Sequence, residues 1–238
     1  MKNIEIKEIQ KNIFIIKEIN YKEHCNCYLI IGSEKCLLID LGIGIINISE
    51  VIKPLIKNKE LITIVTHFHF DHIGGSKYLD EIYGDITNIK NKDIGLKYLN
   101  SQDFLENDDY ENSKMININI NKFKQIKFNK KLDIGGFKFK IFKTYGHDKS
   151  SICIYEEEKR ILFSGDLIYD GKLIYDLTDS DKNQYIHSLN IIKSLKLKKI
   201  YGGHNEPIIN NIYKLIDKKI KIIKESNKQS SQNKLKII

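Results

Sequence analysis

Residues 66–75, THFHFDHIGG, place His67, His69, Asp71 and His72 within six positions, directly after the apolar run LITIV and just ahead of two glycines. LITIV is short, rich in β-branched residues and unbroken by polar groups, as expected of a strand buried on both faces. The chain must therefore build a sheet in which one strand ends in a cluster of imidazoles, and the rest of the fold must accommodate them. Along an extended segment, residues two apart point the same way. His67 and His69 then aim at a common point, while Phe68 and Phe70 turn toward the core. Imidazole and carboxylate are ligands for borderline divalent metals such as zinc. A lone buried histidine is ordinarily a satisfied core group. Three of them with an aspartate at a strand-to-loop junction point instead to metal binding, with His67 and His69 gripping one ion and Asp71 and His72 turning toward a second.

The remaining pattern is that of an α/β fold. Apolar patches at Ile4, Ile6, Ile9 and residues 13–16 read as strands. Residues 27–32 and 36–40 read as a hairpin, with residues 49–59 as a helix capped by Ser49. A helix is expected over 76–83, after the glycine pair. Further on, 92–99 has the pattern of a short helix, and the polar stretch 101–113 reads as a surface loop. Strands follow at 137–142, 151–155 and 160–166. Tyr185, Leu189, Ile192 and Leu195 fall at helical spacing, and a long helix is expected from Glu206 to about Glu225. One domain over 1–225 with a polar tail over 226–238 accounts for the 238 residues. His147 and His204 each follow an apolar stretch beside glycine, and Asp166 closes one. His187, within a helical pattern, and His24, beside the first hairpin, read as structural or solvent-exposed.

Composition narrows the function classes. The net charge is +8, but the lysines are spread along the chain among acidic residues. This is a solvated surface compatible with an anionic small-molecule substrate, not the one-sided basic face of a nucleic-acid binder. The abundance of isoleucine, lysine and asparagine follows from A+T-rich codons. The four cysteines, Cys25, Cys27, Cys36 and Cys153, contain no CxxC and read as small buried hydrophobes, not as a disulfide framework. The first residues show no long apolar stretch, and no run approaches the ~20 residues of a membrane span. The expectation is a cytoplasmic enzyme that uses no membrane.

Taken together, these residues resemble the metallo-β-lactamase superfamily. Residues 66–75 match its HxHxDH signature. YGHDKSSICIY at 145–155 matches the motif of the next histidine, LFSGD at 162–166 that of a bridging aspartate, and GGH at 202–204 that of the last histidine. NCYLI and LLIDLG look like the family's opening hairpin, and the likeness runs from about Ile13 to Pro207. It implies an αβ/βα four-layer sandwich, two mixed sheets flanked by helices, with the site along one edge. It also implies two divalent ions, zinc first with iron or manganese as alternatives. His67, His69 and His147 would hold one, Asp71, His72 and His204 the other, and Asp166 would bridge them. Metal-activated hydroxide would be the nucleophile, Asp71 would orient it or relay its proton, and Ser164, Cys25 and Cys27 would be structural.

Asp148-Lys149-Ser150 departs from the small or hydroxyl residue the family usually carries after the histidine. Asp166 separates the chain from true β-lactamases. The stretch after it resembles small glyoxalase II-like hydrolases, which implies cleavage of a thioester or ester of hydroxyacylglutathione or acyl-CoA type, with Tyr169 or Tyr175 donating a hydrogen bond to substrate. Lactonase and phosphodiesterase or RNA-processing nuclease chemistry are the alternatives. A mono-iron persulfide dioxygenase, a di-iron oxygen-reducing module and a non-catalytic binding module rank below them.

Overall fold

A computed structural model describes residues 3–19, 25–88 and 118–235, with side chains to residue 227. The expectations for 92–99, 101–113 and His24 lie outside the described residues. The first sheet has seven strands in sequential order: β1 (Ile4–Gln10), β2 (Ile13–Glu18), β3 (Asn26–Ile31), β4 (Lys35–Ile39), β5 (Glu60–Ile64), β6 (Ile82–Gly84) and β7 (Phe123–Gln125). β1 to β4 form an antiparallel meander, and β4 to β7 run parallel. The switch to parallel pairing needs a crossover, and helix α1 (Ile48–Ile56) supplies it. The second sheet has the order β12-β11-β10-β9-β8, from β8 (Leu132–Asp133), β9 (Lys138–Lys143), β10 (Ile152–Glu156), β11 (Ile161–Gly165) and β12 (Lys199–Gly202). β11 and β12 are parallel, joined through helix α3 (Lys182–Lys193). The short helix α2 (Phe70–Ile73) and the long α4 (Ile212–Leu235) complete the set of α-helices among the described residues.

Three apolar clusters fill the spaces between four layers. Ile30, Leu37, Ile64, Phe139, Ile154 and Phe163 lie between the sheets. Ile48, Val51 and Ile52 of α1 cover the outer face of the first sheet. Tyr185, Leu189 and Ile192 of α3, with Ile216, Ile220 and Ile223 of α4, cover the outer face of the second. The periodicity-two strands and period-3.6 helices thus each bury their apolar side, and the result is the expected αβ/βα sandwich. Fully burying each such Ile, Leu or Phe contributes about 1.5–3 kcal/mol.

Four local expectations are corrected. Helix α1 is capped by Asn47, whose side chain accepts from the Glu50 amide at 3.4 Å, not by Ser49. Residues 76–83 are not one helix. A 3-10 turn covers Gly74–Tyr78, and Ile82–Gly84 then pairs in parallel beside β5 and β7. The long helix starts at Ile212 rather than near Glu206, because Ile208 exchanges both backbone hydrogen bonds with Ile200 (2.9 Å each) and Asn211 takes a positive φ of 53°. The helix then continues to Leu235, through most of the stretch read as a tail. All four cysteines are buried and free, as expected. Among the described residues, no helix is long and apolar enough to cross a membrane.

Candidate metal centre

The site forms where the ends of parallel strands from both sheets meet. The Ile152 amide, at the start of β10, donates to the Thr66 carbonyl just past β5 (2.8 Å), and this stitches the sheets together at that edge. β5 delivers His67 and His69, and α2 carries Asp71 and His72 around the turn. The β9–β10 loop brings His147, the end of β11 Asp166 and the end of β12 His204. Phe68 and Phe70 are buried, and Phe68 packs on Phe123 with ring centroids 4.9 Å apart. The alternation of histidine and phenylalanine therefore anchors the ligand segment. His187, by contrast, is exposed on α3.

All seven residues singled out in the sequence converge. Potential ligand atoms of His67, His69 and His147 lie within 4.8 Å of one another, as do those of Asp71, His72 and His204, and those of His67, His72 and Asp166. His147 Nε2 is 3.0 Å from His69 Nδ1. Asp166 sits between the two groups. Its Oδ1 is 3.3 Å from His72 Nε2, and its Oδ2 lies 3.1 Å from His204 Nε2 and 3.6 Å from His147 Nε2. Asp71 Oδ2 faces His72 Nε2 at 3.4 Å and His204 Nε2 at 3.5 Å.

The donor set fits divalent cations. His67 Nε2, His72 Nε2 and Asp166 Oδ1 are shut off from solvent and make no hydrogen bond. A buried unsatisfied polar atom costs about 1–3 kcal/mol, so three in one spot, all of ligand type, call for an ion. Protonation points the same way. Burial, with the His72 and His69 imidazoles, holds His67 well below the usual imidazole range, and burial with His147 brings His69 down to about 4. Both rings therefore keep lone pairs to give. Burial opposes charge on Asp166, but the His204 and His72 imidazoles outweigh it and hold the carboxyl well below its ordinary range. Burial would lower His204, yet Asp166 and Asp71 draw it up to about 9. The two carboxylates attract positive charge to this point, as protons on the bare chain and equally well as a metal ion.

The Metallo-beta-lactamase superfamily model matches residues 21–204. The chain belongs to the metallo-β-lactamase superfamily. It is a hydrolase of that superfamily, with glyoxalase II-like relatives. Acyl-coenzyme A thioesterase MBLAC2 of Homo sapiens is 24% identical over 234 residues, covering 83% of this chain and 80% of the relative. Hydroxyacylglutathione hydrolase GloC of Haemophilus influenzae is 28% identical over 190 residues, covering 77% and 83%. The fold matches that of a metallo-β-lactamase from Pontibacter korlensis with a TM-score of 0.69 at 19% identity, over 93% of this chain and 99% of the other.

Several residues that build this superfamily site were not singled out in the sequence. Asp40, at the end of β4, is buried and places Oδ2 2.9 Å from His72 Nδ1, while Oδ1 accepts from the Thr66 amide at 2.7 Å. A carboxylate behind a ligating imidazole fixes its tautomer and aim. His147 is set in the same way by the Ile174 carbonyl, 2.9 Å from Nδ1. Asn26 Nδ2 donates to the Gly202 and Asn205 carbonyls (3.1 and 2.7 Å), and Tyr28 Oη to Gly202 (2.7 Å), so β3 of the first sheet holds the loop that carries His204. A Cβ on Gly203 would stand 2.2 Å from Asp166 Oδ1, which leaves glycine as the only fit. Asp148, the departure from the family pattern, caps its own loop: its Oδ1 accepts from the Ser150 amide at 2.7 Å. Of the two tyrosines considered for substrate contact, Tyr169 already donates its hydroxyl hydrogen to the Lys172 carbonyl (2.7 Å), and its ring lies edge-on to His204 at 5.2 Å. Tyr175 is half-buried, with the Lys182 ammonium 5.4 Å from its ring centre.

Proposed function

We propose that this chain is a binuclear metal-dependent hydrolase of thioesters, with an anionic hydroxyacylglutathione- or acyl-CoA-like substrate. His67, His69 and His147 hold one divalent ion, Asp71, His72 and His204 the other, and Asp166 lies between them. The observation that carries this reading is the position of Asp166, with one oxygen facing His72 and the other facing His147 and His204. Bound divalent ions, zinc in the first instance, supply water acidic enough to ionise near neutral pH and an electrophilic contact for the substrate carbonyl.

The protein's own part is orientation and exclusion. Asp40 accepts a hydrogen bond from His72 Nδ1, and so keeps Nε2 as the lone pair turned into the site. The Ile174 carbonyl does the same for His147. Buried walls around His67, His72 and Asp166 exclude bulk water, which strengthens every charge interaction inside. Asp71, whose Oδ2 lies 3.4 Å from His72 Nε2 and 3.5 Å from His204 Nε2, is the group placed to orient the attacking water and take its proton. The two named relatives, a thioesterase of acyl-coenzyme A and a hydrolase of hydroxyacylglutathione, both act on thioesters, which supports a thioester over a lactone or phosphodiester.

The test is elemental analysis of the purified chain, with the same sample assayed on S-lactoylglutathione, palmitoyl-CoA, a homoserine lactone and a bis-aryl phosphodiester. Two metals per chain with thioester turnover that Asp166→Ala abolishes supports the proposal. Fewer than one metal under metal-replete conditions, or turnover confined to the phosphodiester, overturns it.

A further inference from the structure

Along the edge of the sandwich formed by β7 and β8, the two sheets part around a cavity of about 510 Å³. That volume lies within the range of small-molecule sites, roughly 300–1,000 Å³. Its inner wall is apolar: Ile64, Ile126 and Ile141, buried members of the inter-sheet core, with the half-buried Ile62. Its mouth is charged, with Lys35, Lys127, Lys130 and Lys131 facing Glu60, Glu81 and Asp133. Most of these charges are already matched. Lys35 pairs with Glu60 (2.9 Å), Lys131 with Glu157 (2.8 Å), Glu81 with Lys124, and Asp133 with Lys138 (3.7 Å). Lys127 and Lys130 are exposed and form no ion pair with any described residue. An apolar chamber that opens past two uncompensated ammonium groups is complementary to one class of molecule, an aliphatic chain that ends in a single anionic head.

The geometry points to a second binding site here, for an alkyl carboxylate whose chain lies along Ile62, Ile126 and Ile141 and whose head meets Lys127 and Lys130. The inference does not depend on which ester the chain hydrolyses. Under a thioesterase reading the released acid has this chemistry, which makes the site one for product sensing.

The test is direct binding of dodecanoate, below its micellar concentration, to the metal-stripped full chain by titration calorimetry, with dodecanol and butanoate as controls. Stripping the metal removes the carboxylate's other attractive target. The expected result is saturable one-to-one binding of dodecanoate, at least tenfold weaker binding of both controls, and at least a tenfold loss in Lys127→Glu/Lys130→Glu. That double variant changes exposed side chains only and should retain the unfolding temperature and the basal hydrolytic rate. Ile62→Trp, which fills the chamber, should abolish binding. The proposal is overturned if dodecanoate fails to bind, if it binds the double variant as tightly as the parent, or if dodecanol binds as well as the carboxylate. None of these outcomes touches metal content or thioester turnover, so failure here is distinct from failure of the hydrolase reading.

Discussion

Asp40→Asn isolates the group behind one ligand without touching the ligands. Asp40 is fully buried and takes three donors: the Thr66 amide at Oδ1 (2.7 Å), and the Thr66 hydroxyl and His72 Nδ1 at Oδ2 (2.9 Å each). Asparagine is nearly isosteric and can still accept from Thr66 with its carbonyl oxygen. It then turns an NH2 group toward His72, and two donors face each other unless the imidazole gives up its Nδ1 proton. The ring responds by moving its proton to Nε2, the nitrogen aimed into the site, or by rotating away. Loss of such an orienting carboxylate costs about 10- to 100-fold in metal affinity, or about 1.4–2.8 kcal/mol at 1.4 kcal/mol per decade. The loss should fall on one ion only, because Asp40 hydrogen-bonds to His72, which the proposed assignment places with Asp71 and His204. The assay is a competitive chelator titration that resolves two binding steps, with cobalt(II) absorption as an independent report on each site. The expected outcome is one step weakened into that range and the other within a factor of two of the parent. Equal weakening of both steps would show that Asp40 acts through general stability, and no weakening would remove its orienting role altogether.

Three further outcomes follow from the same structure. Stripping the metal should lower the unfolding temperature by roughly 5–11 °C in a scanning calorimeter, since a ligand at 100 times its Kd stabilises by about 2.7 kcal/mol and a domain of this size moves about 2–4 °C per kcal/mol. Gly203→Ala should cut metal stoichiometry by elemental analysis while leaving far-UV circular dichroism intact, because the added Cβ would stand 2.2 Å from Asp166 Oδ1 and 2.8 Å from His72 Cε1. Burial pushes the Glu18 carboxyl up from its ordinary 4.5, only partly offset by amide donors at Ile46, Ile43 and Gly44. Because the folded value lies above the unfolded one, the stability Glu18 contributes is full below about pH 4.5 and declines as pH rises through the folded value. In metal-free protein, the unfolding temperature of the parent minus that of Glu18→Gln should therefore fall between about pH 4 and pH 7, and a flat difference would refute the assignment.

The candidate metal centre was legible because its chemistry is local in sequence. His67, His69, Asp71 and His72 sit on one strand end and one helical turn, and His147, Asp166 and His204 each follow a strand that reads clearly by its apolar run. What supports them was not legible. Asp40 precedes its partner His72 by 32 residues, and Asn26 reaches a loop 176 residues away. These pairings exist only once the sheets are docked, and no periodicity records them. The same reasoning explains the misread middle. β6 is three residues long and is a strand only because β5 and β7 flank it. Residues 206–211 carry enough helical pattern to mislead, but the backbone pairing of Ile208 with Ile200 takes precedence.

The stitching of both sheets at one edge has a consequence for assembly. β5 and α2 belong to the amino-terminal half of the chain, and the segments bearing His147, Asp166 and His204 belong to the carboxyl-terminal half. Under the proposed assignment neither half holds a complete coordination set, so ions bound there reward only the native mating of the two. Coordination then acts as a clasp between hemispheres. If the chain were cut in the β7–β8 connection and the pieces expressed separately, they should find each other in the presence of zinc and part again on chelation.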